Sequence, residues 1–374
     1  MKILIASDSF KGTFSSLDIC FLIKKEFSHN SNFEFTCLPI ADGGEGSLEA
    51  IASNIKGRFI SLKTNNPYFR KIKTKYFLDE FNNAYIEVAS SAGLSLIKNL
   101  NPLKTSTYGV GEQVLDALKK DAKKIYIFLG GSATNDGGCG LFSALGTKFY
   151  NELNEEFIPT GGTLKNITKI DNSLTTKLLK NIEVIGMCDV NNPLYGLNGA
   201  AYIYAPQKGA TKEDVLKLDE GLKHLDSIIK KDLKKDISLI EGAGAAGGIG
   251  ASILAFSNGI LKKGIEEILN ILNFDQLIKD VDYVITGEGK LDKQSFYGKV
   301  ISGVATHALK HNKNLILLVG SSEITLEEAQ TLYPCIKYIF ETNPNHLPFN
   351  KVKKHAKVMY SQAIHKLLIE LLNK

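Results

Sequence analysis

One pattern constrains this chain more than any other. A short apolar run gives way to a loop of small and acidic residues, and helical periodicity follows. Residues 2–6 read as a buried strand that ends in Ser7-Asp8-Ser9-Phe10-Lys11-Gly12. Ser15 and Asp18 then carry the spacing of a helix start. Residues 33–39 repeat the pattern, running into Ala41-Asp42-Gly43-Gly44-Glu45-Gly46 and a helix through Leu48 and Ile51. Near the other end, residues 282–285 lead to Thr286-Gly287-Glu288-Gly289, and 314–319 lead to Gly320-Ser321-Ser322. Residues 337–340 give one more strand. Strands alternating with helices imply parallel βαβ units, and hence an α/β fold.

The middle of the chain reads differently. Residues 71–77 and 84–88 flank a turn and predict a hairpin. Residues 124–129 predict a strand entering a glycine-rich loop, 183–188 a strand ending at Asp189, and 201–205 a further strand beside it. Thr211 and Asp214 can cap a helix whose apolar stripe is Val215, Leu218, Leu222, Leu225 and Ile229. A last amphipathic helix spans about 355–372; its stripe reads as packing rather than a dimer face. At 374 residues the chain is long for one domain. The expected partition is a discontinuous parallel-sheet domain from residues 1–65 and 279–374, with an inserted α/β domain at 66–278.

Composition removes several classes. The net charge is +5, and the lysines are spread along the chain without a nucleic-acid recognition motif. The five cysteines are odd in number, widely spaced and lack a CxxC pair, which argues against a disulfide framework or zinc cluster and fits a reducing compartment. Asp8 interrupts the first apolar run too early for a signal peptide, and no run approaches a membrane span. A cytoplasmic protein without membrane or nucleic-acid partners is expected.

Ligands of open parallel sheets bind beyond the carboxyl ends of the strands. Here five such loops hold carboxylates: Asp8, Asp42 with Glu45, Asp136, Asp189, and Glu288 with Asp292. Turns do not need acids at so many strand ends. Phosphoryl transfer does use them, because Mg²⁺ takes one or two carboxylates and the acceptor hydroxyl needs a base. Lys11, Lys208 and Lys299 supply positive charge. GxxxxGK[ST] is absent, as are the protein-kinase motifs, and Gly242–Gly250 follows no clear strand. Bland readings stand beside these: Asp8 and Asp292 as helix caps, Asp136 as a turn, Asn135 as a local hydrogen bonder, and Asp189 equally as an Asx turn. A phosphatase of the haloacid dehalogenase type would need a second Asp where Phe10 stands. A nucleotide sensor would not need the acidic loops.

Eight motifs in order resemble the bacterial glycerate kinase family. They are the loops at Ser7–Gly12 and Pro39–Gly46, then Thr105–Gly109, and Gly130–Gly138 as GGSATNDGG. Cys188–Leu194, Pro206–Ala210, Gly242–Gly248 and Thr286–Lys299 follow. The resemblance implies a flavodoxin-like domain with an inserted restriction-enzyme-like domain, and ATP- and Mg²⁺-dependent phosphorylation of D-glycerate to 2- or 3-phosphoglycerate. The site is expected in a cleft between the domains, and a homodimer is possible. On these matched positions the expected catalytic residues are Asp8, Lys11, Asp189 and Asp292. Binding residues would be Ser9, Gly43, Gly44, Gly131, Ser132, Asn135, Asp136, Lys208, Gly244, Gly287, Lys290 and Lys299. Asp42, Glu45, Asp189 and Glu288 would hold the metal. Lys290 replaces a frequent arginine, keeping the charge but losing bidentate pairing.

Overall fold

A computed structural model describes residues 1–28, 30–44 and 46–373. Glu45, expected at the metal, lies outside the described residues. The chain forms two compact units. Unit 1 comprises Met1–Asp42, Glu49–Ile55 and Ile265–Lys374; unit 2 comprises Gly43–Leu48 and Lys56–Gly264.

Unit 1 is built on five parallel strands: β1 (Lys2–Ile5), β2 (Glu34–Cys37), β3 (Tyr283–Thr286), β4 (Asn314–Val319) and β5 (Ile336–Glu341). Their spatial order is β2-β1-β3-β4-β5, the doubly wound order of flavodoxin-like sheets. Alternation along each strand sends side chains to opposite faces. Ile3, Ile5, Ile285, Ile316 and Leu318 join the helices Ser16–Glu26 and Phe349–Leu372 in one core. Leu4, Val284, Leu315 and Leu317 are buried on the other face, and the helix Val300–Lys310 packs against β3 and β4. The first helix starts where its sequence signals: the Ser15 hydroxyl accepts from Asp18 N, and the Asp18 carboxylate accepts from Ser15 N at 2.9 Å.

Unit 2 holds a six-stranded mixed sheet in the order Ile260–Lys262, Glu183–Met187, Lys124–Phe128, Asn83–Glu87, Lys71–Asp79, Gly57–Asn65. The first four strands are parallel and the last two antiparallel. Three differences from the sequence expectations have physical causes. Residues 57–65 pair along their whole length with 71–79, so the first boundary falls at 55/56 rather than 65/66. The second falls at 264/265 rather than 278/279, because Ile265 packs under Gly303 and Asp275 bonds to His307 and His311. Residues 201–205 do not form a strand: Ala200–Tyr204 is a helix, buried through Ala200 and Ala201. The helix Lys212–Leu233 begins at a Thr211/Asp214 capping box and buries the expected stripe.

Candidate active site

The loops leaving β1 and β3 meet at the topological switch point of the unit 1 sheet, where such sheets bind ligands. Asp8 N donates to Gly287 O (3.0 Å), and the Ser7 hydroxyl donates to the same carbonyl (3.0 Å). Gly287 is required by packing: a Cβ there would lie 1.7 Å from Leu318 O. Gly320 N donates to Glu288 O at 3.0 Å, which fixes the β3 and β4 loops together. Beyond these loops lies a cavity of about 490 Å³ whose polar wall includes Asp8, Asp42, Glu288, Asp292, Lys11 and Lys299.

The electrostatics of this wall are set by crowded carboxylates. Burial, then the Asp42 charge, push the Asp8 carboxyl up to about 7, against a hydrogen bond from Ser9 N (2.6 Å) and the Lys11 charge; Glu288 adds a smaller upward push. Glu288 is raised by burial, opposed by a hydrogen bond with Ser295 and the Lys299 charge. Its buried Oε1 has no hydrogen-bond partner among the described residues. Asp292 lines the cavity and also caps the turn Lys293–Phe296, accepting from Gln294 N at 2.8 Å. Lys290 pairs with Glu323 at 2.7 Å, with both side chains more than half exposed. Ser9 and Lys290 complete the predicted residues on this wall.

The remaining predicted residues lie in unit 2. Asp136 is fully buried and accepts from Thr107 N and Oγ1 (both 2.8 Å) and from Gly138 N and Gly140 N (both 3.2 Å). It organises the glycine loop rather than forming a plain turn. Next to it, Lys208 is 2% exposed and donates to Ser132 Oγ (2.9 Å) and Thr134 O (2.7 Å). Desolvation pushes its ammonium down to about 7, partly offset by Asp136. The neighbouring Asn135 does not bond locally: both its amide atoms are buried without a partner among the described residues. Gly131, at φ +71°, carries the turn before Ser132. Asp189 Oδ1 accepts from Gly264 N at 2.9 Å, and Gly43 packs on Gly264 and Asp189. Gly44 O accepts from Ser47 N at the head of the next helix. Gly244 is a packing residue, since a Cβ would fall 2.3 Å from Pro193 O.

A family model for the glycerate kinase family matches residues 3–372. The chain belongs to that family. It is 43% identical over 325 residues to a glycerate kinase of Bacillus cereus, covering 86% of this chain and 85% of that one. It is 41% identical over 325 residues to a glycerate 2-kinase of Escherichia coli K12, covering 86% and 85%. A crystal structure from Salmonella typhimurium LT2, named glycerate kinase 2, superposes with a TM-score of 0.87 at 34% identity, over 100% of this chain and 98% of that one. The chain is therefore a phosphotransferase with an alcohol group as acceptor, and it phosphorylates glycerate. Among the described residues no helix is long and apolar enough to cross a membrane.

One part of the cavity has no counterpart in the sequence expectations for glycerate kinases. Phe349, Val352, Ala356 and Met359 of the last helix line it, with Thr342 and Asn343 after β5. The signal was a second apolar stripe at 352, 356 and 359, offset from the packing stripe through Tyr360 and Ile364.

Proposed function

We propose that this glycerate kinase uses ATP, transfers its γ-phosphoryl group to the 2-hydroxyl of D-glycerate, and works in the cytoplasm. The observation that carries the reading is the unit 1 cavity, whose wall carries the four carboxylates of Asp8, Asp42, Glu288 and Asp292 among lysines at a sheet switch point. The name of the Escherichia coli relative, glycerate 2-kinase, supports 2-phosphoglycerate as product over the 3-phosphate. In the reaction the hydroxyl oxygen bonds to the γ-phosphorus, the bond from that phosphorus to the ADP oxygen breaks, and the hydroxyl proton passes to a base. Asp8 is our choice of base, since a carboxyl held near 7 can take a proton at neutral pH.

The wall also fits Mg²⁺. The donor set is all oxygen, and Glu288 Oε1 is buried without a protein partner. No ready cage of three ligating side chains exists among the described residues, and Mg²⁺ needs only one or two carboxylates beside phosphates and water. Asp42 and Glu288 would hold it, and the ion would neutralise charge on the transferring phosphoryl group. Lys11 and Lys299 would draw in the phosphates. In unit 2, Ser132, Asn135, Lys208 and Asp189 are our candidates for further substrate contacts, supported by the unpartnered Asn135 amide. We also read the two units as the two functional domains of the protein.

Turnover of ATP and D-glycerate, with phosphorus NMR of the product, tests the reading. Signal at the 3-phosphate position would overturn the product assignment, and no turnover by folded protein would overturn the ATP assignment. Asp8→Asn should lower kcat by about 10²–10⁴-fold while circular dichroism stays unchanged. A variant with wild-type kcat would remove Asp8 as base.

A further inference from the structure

The unit 1 cavity has two unlike ends. One carries the carboxylates and lysines just described. The other is apolar, walled by Phe349, Val352, Ala356 and Met359 from one side of the last helix and by Phe10 from the β1 loop. Phe10 is held in place by edge-on packing against the buried Tyr360, ring centroids 5.3 Å apart. Phe349 lies over Gly12: at φ +82° a Cβ there would stand 2.7 Å from the ring's Cζ, so only glycine lets the ring settle on the loop. The ring nonetheless remains 57% exposed. The polar side chains at this end are already committed. Asn343 donates from Nδ2 to Leu347 O (3.1 Å) and accepts at Oδ1 from Leu347 N (2.9 Å). Thr342 Oγ1 donates to Gly320 O (3.4 Å).

Glycerate cannot use such a wall. Each of its carbons bears oxygen, so it has no apolar face to bury, and a three-carbon acid is small against about 490 Å³. A volume of that size suits a ligand of nucleotide dimensions. Flat heteroaromatic rings gain from stacking on exposed aromatic side chains, with little need for hydrogen-bond readout. The apolar end is continuous with the lysines that would meet the phosphates.

We propose that this apolar end receives the base of the nucleotide, with Phe349 as its stacking face. The proposal rests on the reading of the protein as an ATP-dependent glycerate kinase. The test is calorimetric binding of ATP and of inorganic tripolyphosphate to the full chain, for wild type, Phe349→Ala and Val352→Asp, together with KM for glycerate. Phe349 is largely exposed, so its truncation leaves the core intact; Val352→Asp attacks the same wall by charge. In both variants the Kd for ATP rises at least tenfold, while tripolyphosphate affinity and the glycerate KM stay within about twofold. Unchanged ATP affinity in both variants overturns the base site and leaves the kinase standing. So does parallel weakening of ATP and tripolyphosphate, or a change confined to glycerate. Failure of the wild type to bind ATP overturns both readings.

Discussion

Lys208 is held where an ammonium is least welcome. It is buried, its two acceptors are a hydroxyl and a carbonyl, and its folded pKa falls to about 7 from the ordinary 10.5. Between those values the unfolded chain holds a proton at this site that the folded chain has released. Stability therefore rises with pH across that window, and the burden is full below about 7. Lys208→Met should abolish this part of the rise, so the gap in urea midpoint between variant and wild type changes between pH 7 and pH 9. A constant gap would show that Lys208 does not titrate there. Residue types at this loop were legible from the sequence, but their states were not. Asp136 was visible as an acid after a strand, yet nothing local revealed that Thr107, about thirty residues earlier, would supply two of its hydrogen bonds. Asn135 read as a local hydrogen bonder, and burial without partners follows only from tertiary packing.

At the scale of elements, one acid ties together two helical segments, Phe274–Leu277 and Val300–Lys310 with its cap His311. Asp275 accepts from Lys310 Nζ (2.6 Å), His311 Nε2 (2.9 Å) and His307 Nδ1 (2.5 Å). Burial raises its pKa, but the bonds from Lys310, His307 and His311 outweigh it and hold the carboxyl well below its usual range. Glu266 first, then Asp275, raise the His307 pKa against desolvation. The sign follows for each group. The histidine contribution is whole below its unfolded value near 6.5 and is lost as pH climbs through the raised folded value; the Asp275 contribution is lost only as pH falls below the ordinary carboxylate range. Asp275→Asn should then cost about 1 kcal/mol at pH 6, modest because Asp275 is 40% exposed, and less at pH 8.5. Thermal unfolding at the two pH values measures it, and an equal loss at both would refute the histidine linkage. Helices with caps and a single stripe, such as Lys212–Leu233, were fully legible. The strand Gly57–Asn65 is not, since an edge strand with Ser61 and Lys63 on its exposed face and an exposed Arg58 near its start resembles loop. Ala200–Tyr204 misled because alternating aromatic and aliphatic residues imitate a strand over so short a span.

For the whole molecule, the alternation of strand and helix at both chain ends was enough to give the α/β class, and the ordered motifs gave the family. The compact units divide ten and fourteen residues before the boundaries read from the sequence, because pairing between 57–65 and 71–79 and the Asp275 cluster are contacts of partners, not of composition. Unit 2 has its own closed core of buried side chains from Tyr76 to Phe256. Residues 56–264 expressed alone should therefore unfold in one cooperative transition; a non-cooperative, dye-binding fragment would show that its core depends on the rest of the chain.

The pairing of Ile3 with Tyr283 has a consequence for biosynthesis. The strand β1 is flanked on both sides in its sheet, yet one neighbour, β2, follows within some thirty residues and the other arrives only after unit 2 has been made. At ribosomal rates that interval is roughly ten to fifty seconds. Throughout it, Ile3, Leu4 and Ile5 sit beside an open strand edge on a nascent chain whose inserted unit can already have collapsed. Chaperone dependence of this protein during translation should therefore concentrate in its first forty residues, not in its longer middle.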